Sequence, residues 1–221
     1  MNAILKPYYQ DNFTTIYHGD SREILPELLN KSIDVVITDP VWPNADKSLY
    51  GSDDPFSAFK SVARFFPLLT QRVVVQLGCD SDPRFLSAVP SEYHFFRVCW
   101  LEYLQPNYKG RLLYTGDIAY VFGIPPPARR GAMVLPGKCL HRSGGRPRTG
   151  HPCSRQLSHV QWLVGFYAAG LVLDPFMGGG TTLVAAKNHG LPSIGIEINE
   201  KYCEISAKRL SQEQLDFTEK A

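Results

Sequence analysis

Short runs of apolar, mostly β-branched residues alternate along the chain with longer stretches whose apolar positions recur at helical spacing. The runs predict strands near Thr15–His18, Val35–Thr38, Val73–Leu77, His94–Trp100, Ile118–Phe122, Leu171–Leu173 and Ser193–Ile196. Helices are expected near Ser21–Leu29, Pro55–Leu68, Gln156–Ala169, Thr181–His189 and Asn199–Gln212. In the third of these, Leu157, Val160, Val164, Tyr167 and Ala168 share one face, which is therefore buried. Runs such as Val35-Val36-Ile37 are apolar on both faces, as in a sheet covered on both sides. Strand and helix in alternation predict an α/β fold with a doubly wound, mostly parallel sheet. There are no internal repeats.

Composition narrows this to one domain over residues 1–221. A hydrophobic fraction of 44% supplies a sizeable core for 221 residues. No apolar run approaches the roughly 18 residues of a membrane span. The first residues lack a charged region followed by an apolar core, so a soluble, unexported protein is expected. Five cysteines without framework spacing read as reduced thiols and a cytoplasmic setting.

Charge distribution matters more than the net charge of +2. From Asp117 to Asp174 no acidic residue intervenes, while Arg129, Arg130, Lys138, Arg142, Arg146, Arg148 and Arg155 fall in that interval. Removing these seven leaves the remainder at −5. Residues 125–152 are also rich in glycine and proline and lack periodicity, which predicts a long basic loop. Such a loop suits phosphate neutralisation, and Arg129, Arg130, Lys138, Arg142, Arg146 and Arg148 are the candidate nucleic-acid contacts. A solvated loop, or one that meets a cofactor through Arg155, is the plainer alternative. A Cys139-x-His141 and His151-x-Cys153 pair also offers four zinc ligands, at spacings tighter than usual for zinc. No metal site is expected.

The segment Leu171 to Thr182 carries the most chemistry. An apolar strand enters Asp174-Pro175-Phe176-Met177, then Gly178, Gly179 and Gly180, then a helix opening at Thr181. Glycines let backbone N–H groups close on a ligand at a helix start. Glu197 lies 19 positions beyond Gly178 at the end of the next strand, near the offset at which an acid meets ribose hydroxyls. Capping the helix that follows is its other reading. Leu183 occupies the place where a dinucleotide fingerprint needs a small residue, and no Gly-Lys-Ser/Thr phosphate loop exists. The site suits a ribose with little phosphate.

Upstream, the strand Val35–Thr38 ends at Asp39-Pro40-Val41-Trp42. Open α/β sheets bind ligands outside the carboxyl ends of their strands, so Asp39, Pro40 and Trp42 should share a rim with the glycine turn. A turn residue at Asp39 and a core aromatic at Trp42 are the plain readings.

Together these motifs resemble the DNA amino-methyltransferases, which methylate exocyclic amines with S-adenosyl-L-methionine. Asp39-Pro40-Val41-Trp42 is similar to their catalytic (Asp/Asn/Ser)-Pro-Pro-aromatic tetrapeptide, and the run Asp174 to Thr182 to their cofactor motif. The tetrapeptide precedes the cofactor turn by about 135 residues, as in the circularly permuted β class. His18-Gly19-Asp20, His151-Pro152 and the strand Asp117 to Phe122 are further matches, and the resemblance covers residues 13 to 210. It implies a Rossmann-like methyltransferase fold, with catalytic Asp39, Pro40 and Trp42. Cofactor contacts are implied at Asp20, Asp174, Phe176, Gly178, Gly180, Thr181 and Glu197. Asp20 is placed by adenine and Asp174 by the methionine moiety; an N-cap is the other reading of Asp20. Val41 departs from the proline of the motif, Cys153 from threonine and Arg155 from lysine.

The implied reaction explains the residue types. An aromatic amine is a poor nucleophile because its lone pair is delocalised. If the Asp39 carboxylate and the Pro40 carbonyl accept its two N–H protons, the nitrogen pyramidalises and attacks the sulfonium methyl in line. The base must leave the duplex, and Trp42 offers a face for stacking. Asp at the first motif position favours N6 of adenine over N4 of cytosine. DNA is the expected partner, with RNA, a small amine or a catalytically silent binding module as alternatives. No separate target-recognition domain fits between the motifs; a monomer or homodimer is expected.

Overall fold

The computed structural model of the chain describes residues 5–28, 32–44, 54–127, 134–140 and 155–212. The strands are β1 (Tyr9–Gln10), β2 (Thr14–His18), β3 (Ile33–Thr38), β4 (Arg72–Gly78), β5 (Phe95–Lys109), β6 (Leu112–Gly123), β7 (Lys138–Leu140), β8 (Leu171–Asp174) and β9 (Ser193–Glu197). They form one sheet in the order β1-β2-β9-β8-β3-β4-β6-β5-β7. Among the described residues only β1 and β6 run against the others. The expected mostly parallel sheet is therefore present, with a reversed strand entering between β4 and β5.

Helices α1 (Ser21–Ile24), α2 (Pro55–Ala63), α3 (Leu157–Tyr167), α4 (Thr181–Asn188) and α5 (Glu200–Ser211) cover both faces. On one face Val36, Val73, Val75, Leu173 and Ile196 pack with Leu25, Phe59 and Phe66. On the other, Val35, Ile37, Val74 and Val172 meet Val160, Leu163, Val164 and Tyr167 of α3. Each fully buried aliphatic side chain contributes roughly 1.5–3 kcal/mol of transfer free energy. That two-sided burial is why the parallel strands lack polar alternation.

Three expectations are corrected. The helix expected over Ser21–Leu29 tightens into a 3-10 turn at Leu25–Leu28, and the one over Pro55–Leu68 gives way to a 3-10 turn at Phe66–Leu68. Pro26 and Pro67 lack the N–H that an α-helix interior requires. The stretch 125–152 is not all loop: Lys138–Leu140 pairs with Trp100–Glu102. Finally, β5 and β6 are far longer than the expected His94–Trp100 and Ile118–Phe122. Asp117 pairs with both Gly78 and Leu101, so residues 102–116 rise past the carboxyl end of β4 as a two-stranded ribbon. Gly110, at φ +61°, makes its turn, and Leu104, Tyr108, Leu112 and Leu113 are exposed along it.

Candidate active site

Four carboxylates stand at the carboxyl ends of four adjacent parallel strands. In sheet order they are Asp20 just after β2, Glu197 at the end of β9, Asp174 at the end of β8 and Asp39 just after β3. The sheet thus joins into one rim the two motifs that the sequence separates, as expected for a crevice outside strand carboxyl ends.

Asp20 is the N-cap of α1: its carboxylate accepts from the Arg22 backbone N–H at 2.8 Å and pairs with the Arg22 guanidinium. That pairing holds the Asp20 carboxyl below its ordinary range. The cap reading is thus realised, and the side chain, 20% exposed, follows the end of β2 beside β9.

Glu197 ties the glycine turn to its own strand. Oε2 accepts from the Gly178 N–H at 3.0 Å and Oε1 from the Asn199 N–H at 2.8 Å. Burial raises its carboxyl above the usual value, opposed by these N–H donors. Asn199, not Glu197, caps α5. The glycine N–H groups are used differently from expectation: Gly178 donates to Glu197, and Gly180 donates to the Met177 carbonyl at 2.8 Å. The turn needs glycine for shape. Gly178 and Gly180 sit at φ +47° and +73°, and a Cβ on Gly180 would lie 2.7 Å from Ser206 Oγ. Thr181 is buried against α5, where Arg209 reaches both its hydroxyl and the Gly179 carbonyl. No motif or spacing pointed to Arg209.

Asp174 is buried and accepts from the Thr38 hydroxyl at 2.9 Å and from the Phe176 N–H at 3.1 Å. Burial pushes its carboxyl up to about 7, and Thr182, Phe176 and Thr38 pull the other way. Phe176 packs 6.1 Å from the Phe59 ring centroid, half-exposed at the rim. Ile198, 67% exposed, follows Glu197 at this rim and was not singled out from sequence; His18 Nε2 lies 3.1 Å from its carbonyl.

Asp39 and Trp42 are linked directly, the indole Nε1 donating to Asp39 Oδ1 at 2.8 Å and to the Gln76 carbonyl at 3.2 Å. Pro40 is buried between them, and Val41 is half-buried. The Trp42 ring carries the Arg155 guanidinium 3.8 Å from its centroid, so the face expected for a base already has a cation upon it. Arg155 also pairs with Asp39 at 2.5 Å and Asp117 at 3.4 Å. Burial raises the Asp39 carboxyl, with Arg155 opposing.

Of the candidate nucleic-acid residues only Lys138 is among those described; Arg129, Arg130, Arg142, Arg146 and Arg148 lie outside them, as do His151, Pro152 and Cys153. Lys138 is on β7 at the far edge of the sheet and pairs with Glu102 at 3.0 Å. Of the four possible zinc ligands only Cys139 is described, and it is buried in the apolar cluster beneath α3. Among the described residues no helix is long and apolar enough to cross a membrane.

Known proteins share the fold and part of the sequence. The family model described as DNA methylase, of N6/N4 type, matches residues 163–208, which include the glycine turn and Glu197. The putative methylase YubD of Escherichia coli (strain K12) is 32% identical over 211 residues, covering 89% of this chain and 89% of its own length. The type II methyltransferase M.ScaI of Streptomyces caespitosus is 24% identical over 261 residues, covering 96% of this chain and 86% of its own. The solved M1.HpyAVI–SAM complex superposes with a TM-score of 0.71 at 24% identity, over 90% of this chain and 100% of that one. The PvuII DNA methyltransferase, cytosine-N4-specific, gives 0.70 at 18% identity over 97% and 92%. An Asp-Pro-x-Trp segment and a glycine turn brought to one rim of such a sheet, together with these likenesses, show that the chain belongs to the DNA amino-methyltransferases.

Proposed function

We propose that this chain methylates an exocyclic amine of a flipped-out base in DNA, with N6 of adenine as the target. The observation that carries the reading is the continuous rim of Asp20, Glu197, Asp174 and Asp39, which sets cofactor acids beside the Asp39–Trp42 pair. S-adenosyl-L-methionine is the cofactor, and when bound it supplies an electrophilic sulfonium methyl group.

The residues at the rim fit that cofactor. Glu197 spends one lone pair of each oxygen on backbone N–H groups, leaving acceptor positions for ribose hydroxyls. Exposed Ile198 offers an apolar flank for the adenine ring, and Asp20 an acceptor for its amine. Phe176 and the glycine turn shape the floor, with Gly178, Gly180 and Thr181 acting through backbone form more than through free donors. Asp174 supplies negative charge for the methionine end.

Asp39 receives one N–H of the target amine at a remaining carboxylate lone pair and the Pro40 carbonyl receives the other. The nitrogen lone pair is then free to attack, and the surplus proton leaves after transfer. Trp42 flanks the base. On the DNA side, the ribbon of residues 102–116 stands above this rim with exposed Tyr108 and Arg111. Lys138, Arg129, Arg130, Arg142, Arg146 and Arg148 add positive charge for phosphates. Asp39 at the first position of the tetrapeptide supports adenine, since serine is the commoner residue there in N4-cytosine enzymes.

The test is tritiated methyl transfer from S-adenosylmethionine to unmethylated DNA, with RNA and an Asp39→Ala protein in parallel and digestion to nucleosides. Label in N6-methyladenine of DNA, absent with Asp39→Ala, is expected. Label in N4-methylcytosine or in RNA would overturn the target. No transfer, with cofactor still bound, would make the chain a silent binding module.

A further inference from the structure

Asp39 has neighbours that the reaction does not itself use. From the segment before α3, Arg155 Nε donates to Asp39 Oδ2 at 2.5 Å, and Nη1 reaches Asp117 Oδ2 at 3.4 Å. The same guanidinium lies over the Trp42 ring. Asp117, buried on β6, accepts from the Tyr103 hydroxyl of β5 at 2.5 Å. Arg155 and Asp39 expose only 18% and 20% of their side chains, so this is no loose surface pair.

The charges explain why such a bridge is needed. Asp39 is faced by Asp174 from β8 and by Asp117 from β6; Asp117 is in turn faced by Tyr103 from β5 and by Cys79 after β4. Clustered carboxylates favour retention of protons, and a protonated Asp39 would present an O–H where the target amine needs an acceptor. A guanidinium opposes this with charge, and its planar fork also fixes direction. Burial works against the charge on Arg155, but Asp39 and Asp117 outweigh it and hold the guanidinium above its ordinary value.

We infer that Arg155 is a positioning residue for methyl transfer: it keeps Asp39 an oriented, ionised acceptor and seats the Trp42 ring, with Asp117 and Tyr103 holding it in place. This rests on the acceptor role given to Asp39 above. Arg155 has no part in cofactor binding on this account.

The experiment is single-turnover methylation of duplex DNA from pH 6 to 9 by the full chain, with Arg155→Met, Arg155→Lys and Asp39→Ala proteins and calorimetric cofactor binding. Arg155→Met should lower the rate at pH 7 by about 100-fold, the scale of losing one electrostatic contact at a reacting centre. Its acid limb should move up by about one pH unit or more. Cofactor affinity should stay within about twofold of the parent. Arg155→Lys, which keeps charge but not the fork, should hold the limb in place while remaining about tenfold slow. If Arg155→Met does not fold, that combination in Arg155→Lys carries the proposal, and a lysine variant at full rate overturns it. An unshifted limb in Arg155→Met, or a loss confined to cofactor affinity, also overturns it. Full activity in Asp39→Ala sinks the acceptor role itself, whereas inactive Asp39→Ala beside fully active Arg155→Met sinks the positioning role alone.

Discussion

The Thr38 hydroxyl at the end of β3 donates to Asp174 at the end of β8, 2.9 Å away in space and 136 positions away in sequence. This bond fastens the strand that delivers Asp39 to the strand that delivers the glycine turn. Thr38→Val keeps the shape but leaves a buried acceptor short of a donor, a loss of about 1–3 kcal/mol. Urea unfolding should show a lowered midpoint at unchanged slope. Cofactor affinity should fall with it, because Asp174 then becomes harder to ionise.

Asp174 also makes a pH prediction with a definite sign. Its carboxyl is raised by burial from 3.8 to about 7, so between those values the folded chain holds a proton that the unfolded chain has released. Its contribution to stability is therefore full below the unfolded value, declines as pH rises through that window, and is constant above it. Binding of the cationic methionine end should strengthen as pH rises through 7. Calorimetry between pH 6 and 8 should show this for the parent and a flat profile for Asp174→Asn.

Gly78, the last residue of β4, is required by the Trp42 side chain. A Cβ there would lie 2.4 Å from Cζ3 and 2.9 Å from Cε3 of the indole. Gly78→Ala should displace the ring, cost about 1–3 kcal/mol as overpacking does, and slow methylation more than it weakens cofactor binding. Indole fluorescence and the single-turnover rate report the two effects separately.

The ribbon predicts where DNA is held. Tyr108 is 78% exposed on it, with Arg111 in the turn beside Gly110. Tyr108→Ala combined with Arg111→Glu should weaken DNA binding and reduce the slope of log K against log salt by about 1. Cofactor affinity should be untouched. Fluorescence anisotropy over a salt series measures this, and an unchanged slope would remove the ribbon from the interface.

Asp39, Asp174 and Glu197 were legible in the sequence because each ends a short apolar run, and parallel strands deliver such residues to one rim. The doubly wound sheet was legible for the same reason. Arg155 was read as one basic residue of an acid-free interval, as a possible cofactor contact and as a departure from lysine, never as a partner of Asp39. Its contact with Asp39, 116 positions away, is set by where α3 packs, which no local pattern encodes. Asp117 opened a readable strand, but its facing inward toward Arg155 depends on the β4–β6 register. The ribbon was hidden because Gln105, Pro106 and Asn107 interrupt the alternation, at the place where the β5–β6 register shifts. The three residues of β7 are too few to show a period inside a glycine- and proline-rich stretch. The use of the Gly178 and Gly180 N–H groups within the protein is a matter of turn geometry that composition cannot show.

The two outermost strands of the sheet have a consequence for how the protein behaves in concentrated solution. β1 is two residues long and β7 three, yet they flank β2 and the much longer β5. A strand with unpaired N–H and C=O groups is a template for another chain, and a stub beside it blunts that tendency at the cost of few contacts. Proteins lacking residues 134–140 should therefore keep the rim of acids intact but turn adhesive along β5, clumping on refolding or warming while the parent stays dispersed.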